Sequence, residues 1–168
     1  MAKTRVLWIE DSAHNENTIL AVPVHLSGRY DLTIALNATD GMAELLQRDY
    51  EVVVVDIRIP PGEDPRWLKI YYYLFNSKKP IRLGLRLLQI LLGDPDPLWN
   101  DNFPAAARDP SRFGVLSVET RRDLADDLAN LRVTVCRDKG DGEDPAILLD
   151  TIEMILTKRG ASDIDRAT

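Results

Sequence analysis

Four consecutive valines, Val52-Val53-Val54-Val55, run directly into an aspartate, Asp56. A β-branched run of this kind suits a strand covered on both faces, as in the interior of a parallel sheet. Such a strand needs helices on either side and neighbours that run the same way. The rest of the chain supplies them.

Residues 6–9 are a second short apolar run, closed by Glu10-Asp11-Ser12. Residues 14–27 carry a mixed helical pattern in which Ile19, Leu20, Val24 and Leu26 face a core, with Pro23 expected to kink or shorten the helix. A strand is expected over 32–36, and a helix over 38–48 with Met42, Leu45 and Leu46 on one side. Helical periodicity returns at Gly84 with Leu85, Leu87, Leu88, Leu91 and Leu92. Residues 113–116 read as a strand ending at Ser117, and 121–130 as a polar helix with Leu124 and Leu128 on its buried stripe. Residues 133–136 read as a last strand and 145–157 as a last helix, with Pro145 in its first turn. Two proline-bearing insertions, 61–83 and 93–112, read as irregular; the first holds Trp67, Tyr71, Tyr72, Tyr73 and Phe75. Residues 1–158 form one domain, and 159–168 a polar, frayed tail. Strand and helix alternate five times, which predicts an α/β fold: a doubly wound five-stranded parallel sheet with helices on both faces and right-handed crossovers.

Composition narrows the function. A net charge of −6 disfavours non-specific binding to nucleic acid or an anionic membrane. The single cysteine, Cys136, excludes an internal disulfide framework and reads as buried apolar filler. No apolar run approaches the roughly 20 residues that span a bilayer. The N-terminus lacks the pattern of a signal peptide, so the cytoplasm is the expected compartment. His14 and His25 read as surface or helix-face residues.

In open α/β sheets, ligands bind at the carboxyl ends of the strands. Those ends carry Glu10-Asp11, Asp56 and Ser117, with Lys139 just beyond the last strand. Three carboxylates crowded together repel each other unless a cation offsets them. A hard divalent ion with oxygen ligands does this, and magnesium suits one or two carboxylates plus waters. One carboxylate is then free to act as a nucleophile toward a phosphoryl group. Serine donates a hydrogen bond to a phosphoryl oxygen, and lysine supplies a point charge.

Glu10-Asp11, Asp56-Ile57-Arg58-Ile59-Pro60, Ser117 and Lys139, each at a strand end, resemble the pattern of bacterial-type response-regulator receiver domains. Gly84-Leu85 resembles the opening of that family's third helix. The resemblance implies a CheY-like, flavodoxin-like sheet of order 2-1-3-4-5. It implies that Asp56 accepts the phosphoryl group and that Mg2+ is held by Glu10, Asp11, Asp56 and the backbone carbonyl of Arg58. Ser117 and Lys139 would contact the phosphoryl group. The donor would be a sensor histidine kinase or phosphotransfer protein, a downstream effector would read the result, and a homodimer is a further expected partnership. The chain would thus be a stand-alone phosphoacceptor rather than an enzyme with a separate substrate.

Three positions depart from the family pattern. Val118 stands where a small residue is usual, Cys136 where an aromatic switch is frequent, and Gly140 where proline commonly follows the lysine. With the long 61–83 insertion, they favour an alternative: a pseudo-receiver that binds partners without cycling phosphate. Arg66, Lys69, Lys78, Lys79 and Arg82 in that insertion are expected to lean toward the acidic mouth. A phosphatase with an aspartyl nucleophile would need a second acid two residues on, where Arg58 stands.

Overall fold

The valine run is the middle strand of a five-stranded sheet in the computed structural model, which describes residues 2–12, 18–140 and 144–166. The strands are β1 (Thr4–Ile9), β2 (Tyr30–Ala35), β3 (Val52–Val55), β4 (Phe113–Ser117) and β5 (Val135–Asp138). All pair in parallel, in the order β2-β1-β3-β4-β5. The helices are α1 (Thr18–Leu26), α2 (Ala38–Gln47), α3 (Pro65–Asn76), α4 (Leu83–Leu92), α5 (Arg121–Asn130) and α6 (Ile147–Arg166). None is long and apolar enough to cross a membrane.

Alternation along β3 explains why four valines are needed. Val52 and Val54 join Val6, Trp8 and Leu116 under α1 and α6, in one apolar cluster. Val53 and Val55 join Leu7, Ile9 and Val115 under α2 to α5, in the other. Every valine of the run is essentially inaccessible to water. Burial of each contributes about 1.5–3 kcal/mol.

Several expectations need correction. The segment 61–83 is not irregular, because it contains α3. Asp64 caps that helix by accepting from the Arg66 N–H at 2.8 Å, and Pro65 sits in the first turn, where no amide hydrogen is missed. Trp67 and Ile70 are its buried residues, with Tyr71 and Leu74 packed partly against the core. The 93–112 segment holds two short 3-10 turns, Ala105–Arg108 and Pro110–Arg112.

The last strand begins at Val135 rather than Val133, because 131–133 close α5. The Val133 N–H donates to Leu128 O at 2.9 Å and the Arg132 N–H to Ala129 O at 3.1 Å, with Arg132 in the left-handed region at φ +59. That is a Schellman closure, and it packs buried Val133 toward Leu128. The last helix starts at Ile147, with Pro145 in the turn before it, and continues to Arg166 instead of fraying at 159. On α1, Leu20 and Val24 are buried but Ile19 and Leu26 are exposed, and Pro23 lies inside the helix. His25 is exposed, while His14 lies outside the described residues.

Candidate functional site

The strand register brings the charged residues together. Ile9 pairs with Val55, and the Asp56 N–H donates to Ile9 O at 2.9 Å, so Glu10 and Asp56 leave neighbouring strands side by side. Ser117 pairs with Asp138, and the Lys139 N–H donates to Ser117 O at 2.9 Å. The chain leaves β1 for β2 on one side and returns to β3 on the other. The cluster therefore lies where an open α/β sheet changes direction.

Glu10 and Asp56 are 1% and 4% exposed, and Ser117 is wholly buried. The Lys139 ammonium donates to Glu10 Oε2 and, at 3.1 Å, to Asp56 Oδ2. The Ser117 hydroxyl donates to Asp56 Oδ1 at 2.7 Å, and the Arg58 backbone N–H approaches the same oxygen at 3.4 Å. Ser12 donates to Glu10 Oε1 through its hydroxyl at 2.9 Å. Burial is the main reason that Asp56 holds its proton more tightly than an ordinary aspartate; the Glu10 carboxylate adds to this, while Lys139 and Ser117 oppose it.

Asp11 is exposed, but oxygens of Glu10, Asp11 and Asp56 lie within 4.8 Å of one another. Three carboxylates face one ammonium here, an excess of two negative charges when all are ionised. The donors are hard oxygens, and the charge excess is what a small divalent cation offsets. The residues fit magnesium.

Two neighbours complete the site. Gly84, at the start of α4, packs so tightly on the Asp56 turn that a Cβ there would lie 1.8 Å from Asp56 O. Its N–H donates to Ile57 O at 3.0 Å. The second is Glu119, which the sequence reading passed over. It is 6% exposed, accepts from Arg58 Nε at 2.8 Å and pairs with an Arg82 guanidinium nitrogen at 2.8 Å. A carboxylate just past an apolar strand, two residues after Ser117, was the available signal. Of the five insertion cations expected at the mouth, Arg82 comes this near, and its partner is Glu119. Arg66 instead pairs with Asp64 and Asp101 and stacks 3.7 Å from the Trp99 ring centroid. Thr120 caps α5, accepting from the Asp123 N–H. Val118 is 59% exposed, and Cys136 is half-buried against the core.

No protein-family model matches this sequence, and no curated protein does either. Solved structures do match. A CheY-like receiver domain protein from Methanospirillum hungatei JF-1 aligns with a TM-score of 0.60 at 17% identity, over 96% of this chain and 99% of that one. The chain has the response-regulator receiver fold. A Thermotoga maritima response regulator aligns with a TM-score of 0.56 at 14% identity, over 93% and 99%. A Burkholderia pseudomallei response regulator, solved with a phosphorylated aspartic acid, calcium ion and citrate, aligns with a TM-score of 0.55 at 17% identity, over 96% and 73%. Relative to the sequence pattern, the receiver fold here carries one added helix, α3, between β3 and α4.

Proposed function

We propose that this chain is a receiver that accepts a phosphoryl group on Asp56 and signals through a changed protein–protein interaction. The observation that supports this most is the convergence at one strand edge of three carboxylates with Ser117 and Lys139 both bonded to Asp56. A neighbour of the same fold, solved with a phosphorylated aspartic acid and a calcium ion, lends it weight.

Glu10, Asp11, Asp56 and the Arg58 backbone carbonyl would hold Mg2+, which when bound offsets charge on the phosphoryl oxygens. An Asp56 carboxylate oxygen attacks phosphorus. A new O–P bond forms, and the bond to the donor breaks, its electron pair leaving with the donor: a phosphohistidine nitrogen of a kinase or phosphotransfer protein, or the acetate oxygen of acetyl phosphate. Lys139 pairs with the phosphoryl group, and the Ser117 hydroxyl turns from Asp56 Oδ1 to a phosphoryl oxygen. The added charge is about −1.5 to −2. Movement of Ser117 pulls on Glu119, whose N–H approaches the Ser117 hydroxyl at 3.3 Å. The ties of Glu119 to Arg58 and Arg82 are then the contacts whose two arrangements a downstream effector distinguishes. In this role the chain turns over no substrate beyond its own phosphoaspartate, and it would act in the cytoplasm.

Incubation with acetyl phosphate, followed by intact mass measurement, tests this. Magnesium-dependent gain of one phosphoryl group, absent from Asp56→Asn, is expected. An unmodified wild-type chain, or an equally modified variant, overturns it. A second reading, an interaction module that never takes phosphate, is favoured by Lys139 already spanning Glu10 and Asp56. The same measurement decides between the two.

A further inference from the structure

Charge is unevenly distributed along the chain. Residues 65–93 carry six cations, Arg66, Lys69, Lys78, Lys79, Arg82 and Arg86, and no Asp or Glu. The whole chain has 21 Lys and Arg against 27 Asp and Glu, which leaves 15 against 27 elsewhere, a balance of −12. Three of the six cations have carboxylate partners: Arg66 pairs with Asp64 and Asp101, Arg82 with Glu119, and Arg86 with Asp96. Lys69, Lys78 and Lys79 are exposed and have no carboxylate partner among the described residues.

The α3 helix displays aromatic rings. Tyr72, Tyr73 and Phe75 are 59%, 61% and 62% exposed, although Trp67 and Ile70 of the same helix are buried. The Lys79 ammonium lies 5.2 Å from the Tyr73 ring centroid. Beside Tyr73 runs a groove of about 500 Å³, walled chiefly by Ile70, Tyr73, Leu74, Pro97 and Leu98, with Lys69, Gln89 and the Arg86–Asp96 ion pair also on its lining. Amphipathic rings beside an apolar slot are the usual anchors of a binding surface.

We propose that the outer face of α3 and the turn after it dock an acidic polypeptide segment. One apolar side chain of that segment fills the groove, and its carboxylates meet Lys69, Lys78 and Lys79. Charge complementarity selects this occupant. A second copy related by a two-fold axis would set these lysines against their own equivalents. A bilayer or nucleic acid spreads negative charge over a wide front, which the −12 balance of the remaining chain repels. A narrow slot fits a side chain better than a headgroup plane. The surface is separate from the Asp56 cluster, so the inference stands without phosphorylation, and Asp56→Asn is expected to leave docking unchanged.

Panning a displayed random peptide library on the intact chain tests it, with anionic vesicles and single-stranded DNA measured in parallel. Enriched peptides are expected to combine Asp or Glu with a bulky apolar residue. Their affinity should fall about tenfold or more in a Lys69→Glu/Lys78→Glu/Lys79→Glu variant, in its milder all-Gln counterpart at low salt, and in Tyr73→Ala. Thermal melts of these surface variants should match the wild type, which separates docking from folding. Absence of enrichment, enrichment without acidic residues, or unchanged binding by the variants overturns the proposal. So does tighter binding to the vesicles or the DNA than to the enriched peptides.

Discussion

The carboxylate cluster and the outer face of α3 follow opposite rules. In the cluster, two carboxylates and an ammonium are almost withdrawn from water, and each is held by another charge. On α3, three aromatic rings stand in water, and the lysines around them have no carboxylate partners among the described residues. Buried charge is tolerated only where partners are fixed, and here the strand register fixes them. Exposed apolar rings are tolerated anywhere the fold does not need them covered. The first region therefore belongs to the sheet, while the second is carried on it, and substitutions should separate the two.

The largest effect is expected from Lys139→Met. It leaves Glu10 and Asp56 buried against each other with no compensating charge. Removing one partner from such a pair costs about 3–5 kcal/mol. Urea unfolding in a chelator should show that loss, and magnesium should return part of it. A loss below about 1 kcal/mol in chelator would mean that Lys139 does not balance the cluster.

Gly84→Ala comes next. The added carbon meets backbone, Asp56 O at 1.8 Å, and not the end of a flexible side chain. Either α4 or the Asp56 turn must move. About 1–3 kcal/mol of stability, or more, should be lost. Under the proposed function, modification of Asp56 by acetyl phosphate should slow with it, because the turn that moves carries that residue.

How much of this was legible follows from the same contrast. Glu10, Asp56, Ser117 and Lys139 could be placed because each stands next to a strand that composition betrays. The valine run and the apolar runs before Glu10 and Ser117 mark strand ends to within a residue, and topology then does the assembling. Glu119 was missed because its burial depends on two arginines from other elements, which no local pattern announces. The 61–83 segment reads as irregular because it is interrupted by Pro61, Pro65 and Pro80. Pro65 in fact starts a helix, and the spacing of Trp67, Ile70, Tyr71 and Leu74 carries its periodicity. The end of α6 was hidden because its apolar stripe stops near Leu156 while the backbone winds on to Arg166.

Acidity offers a smaller and subtler test. Burial raises the pKa of Asp56 above its ordinary 3.8. Between that value and the raised one, the folded chain keeps a proton that the unfolded chain has released. The contribution of this group to stability is thus full below 3.8 and is lost as pH rises through the folded value. In Asp56→Asn the dependence disappears. With divalent ions chelated, the variant should gain on the wild type as pH rises through that window. Parallel urea titrations across pH read the difference, and parallel curves would mean that the carboxylate is better solvated than its surroundings imply.

The smallest effect should come from the other region. Phe75→Ser removes a ring that is 62% exposed and, among the described residues, stacks only on Tyr71, at 6.4 Å between centroids. Little burial is lost, no polar group is orphaned, and serine is tolerated near a helix end. Stability should change by no more than about 0.5 kcal/mol. Acetyl phosphate reactivity should be unchanged, since the ring bonds to nothing in the cluster. A larger loss in thermal melts would show that α3 is part of the core rather than a surface carried on it, and the contrast between the two regions would fail at its weaker side.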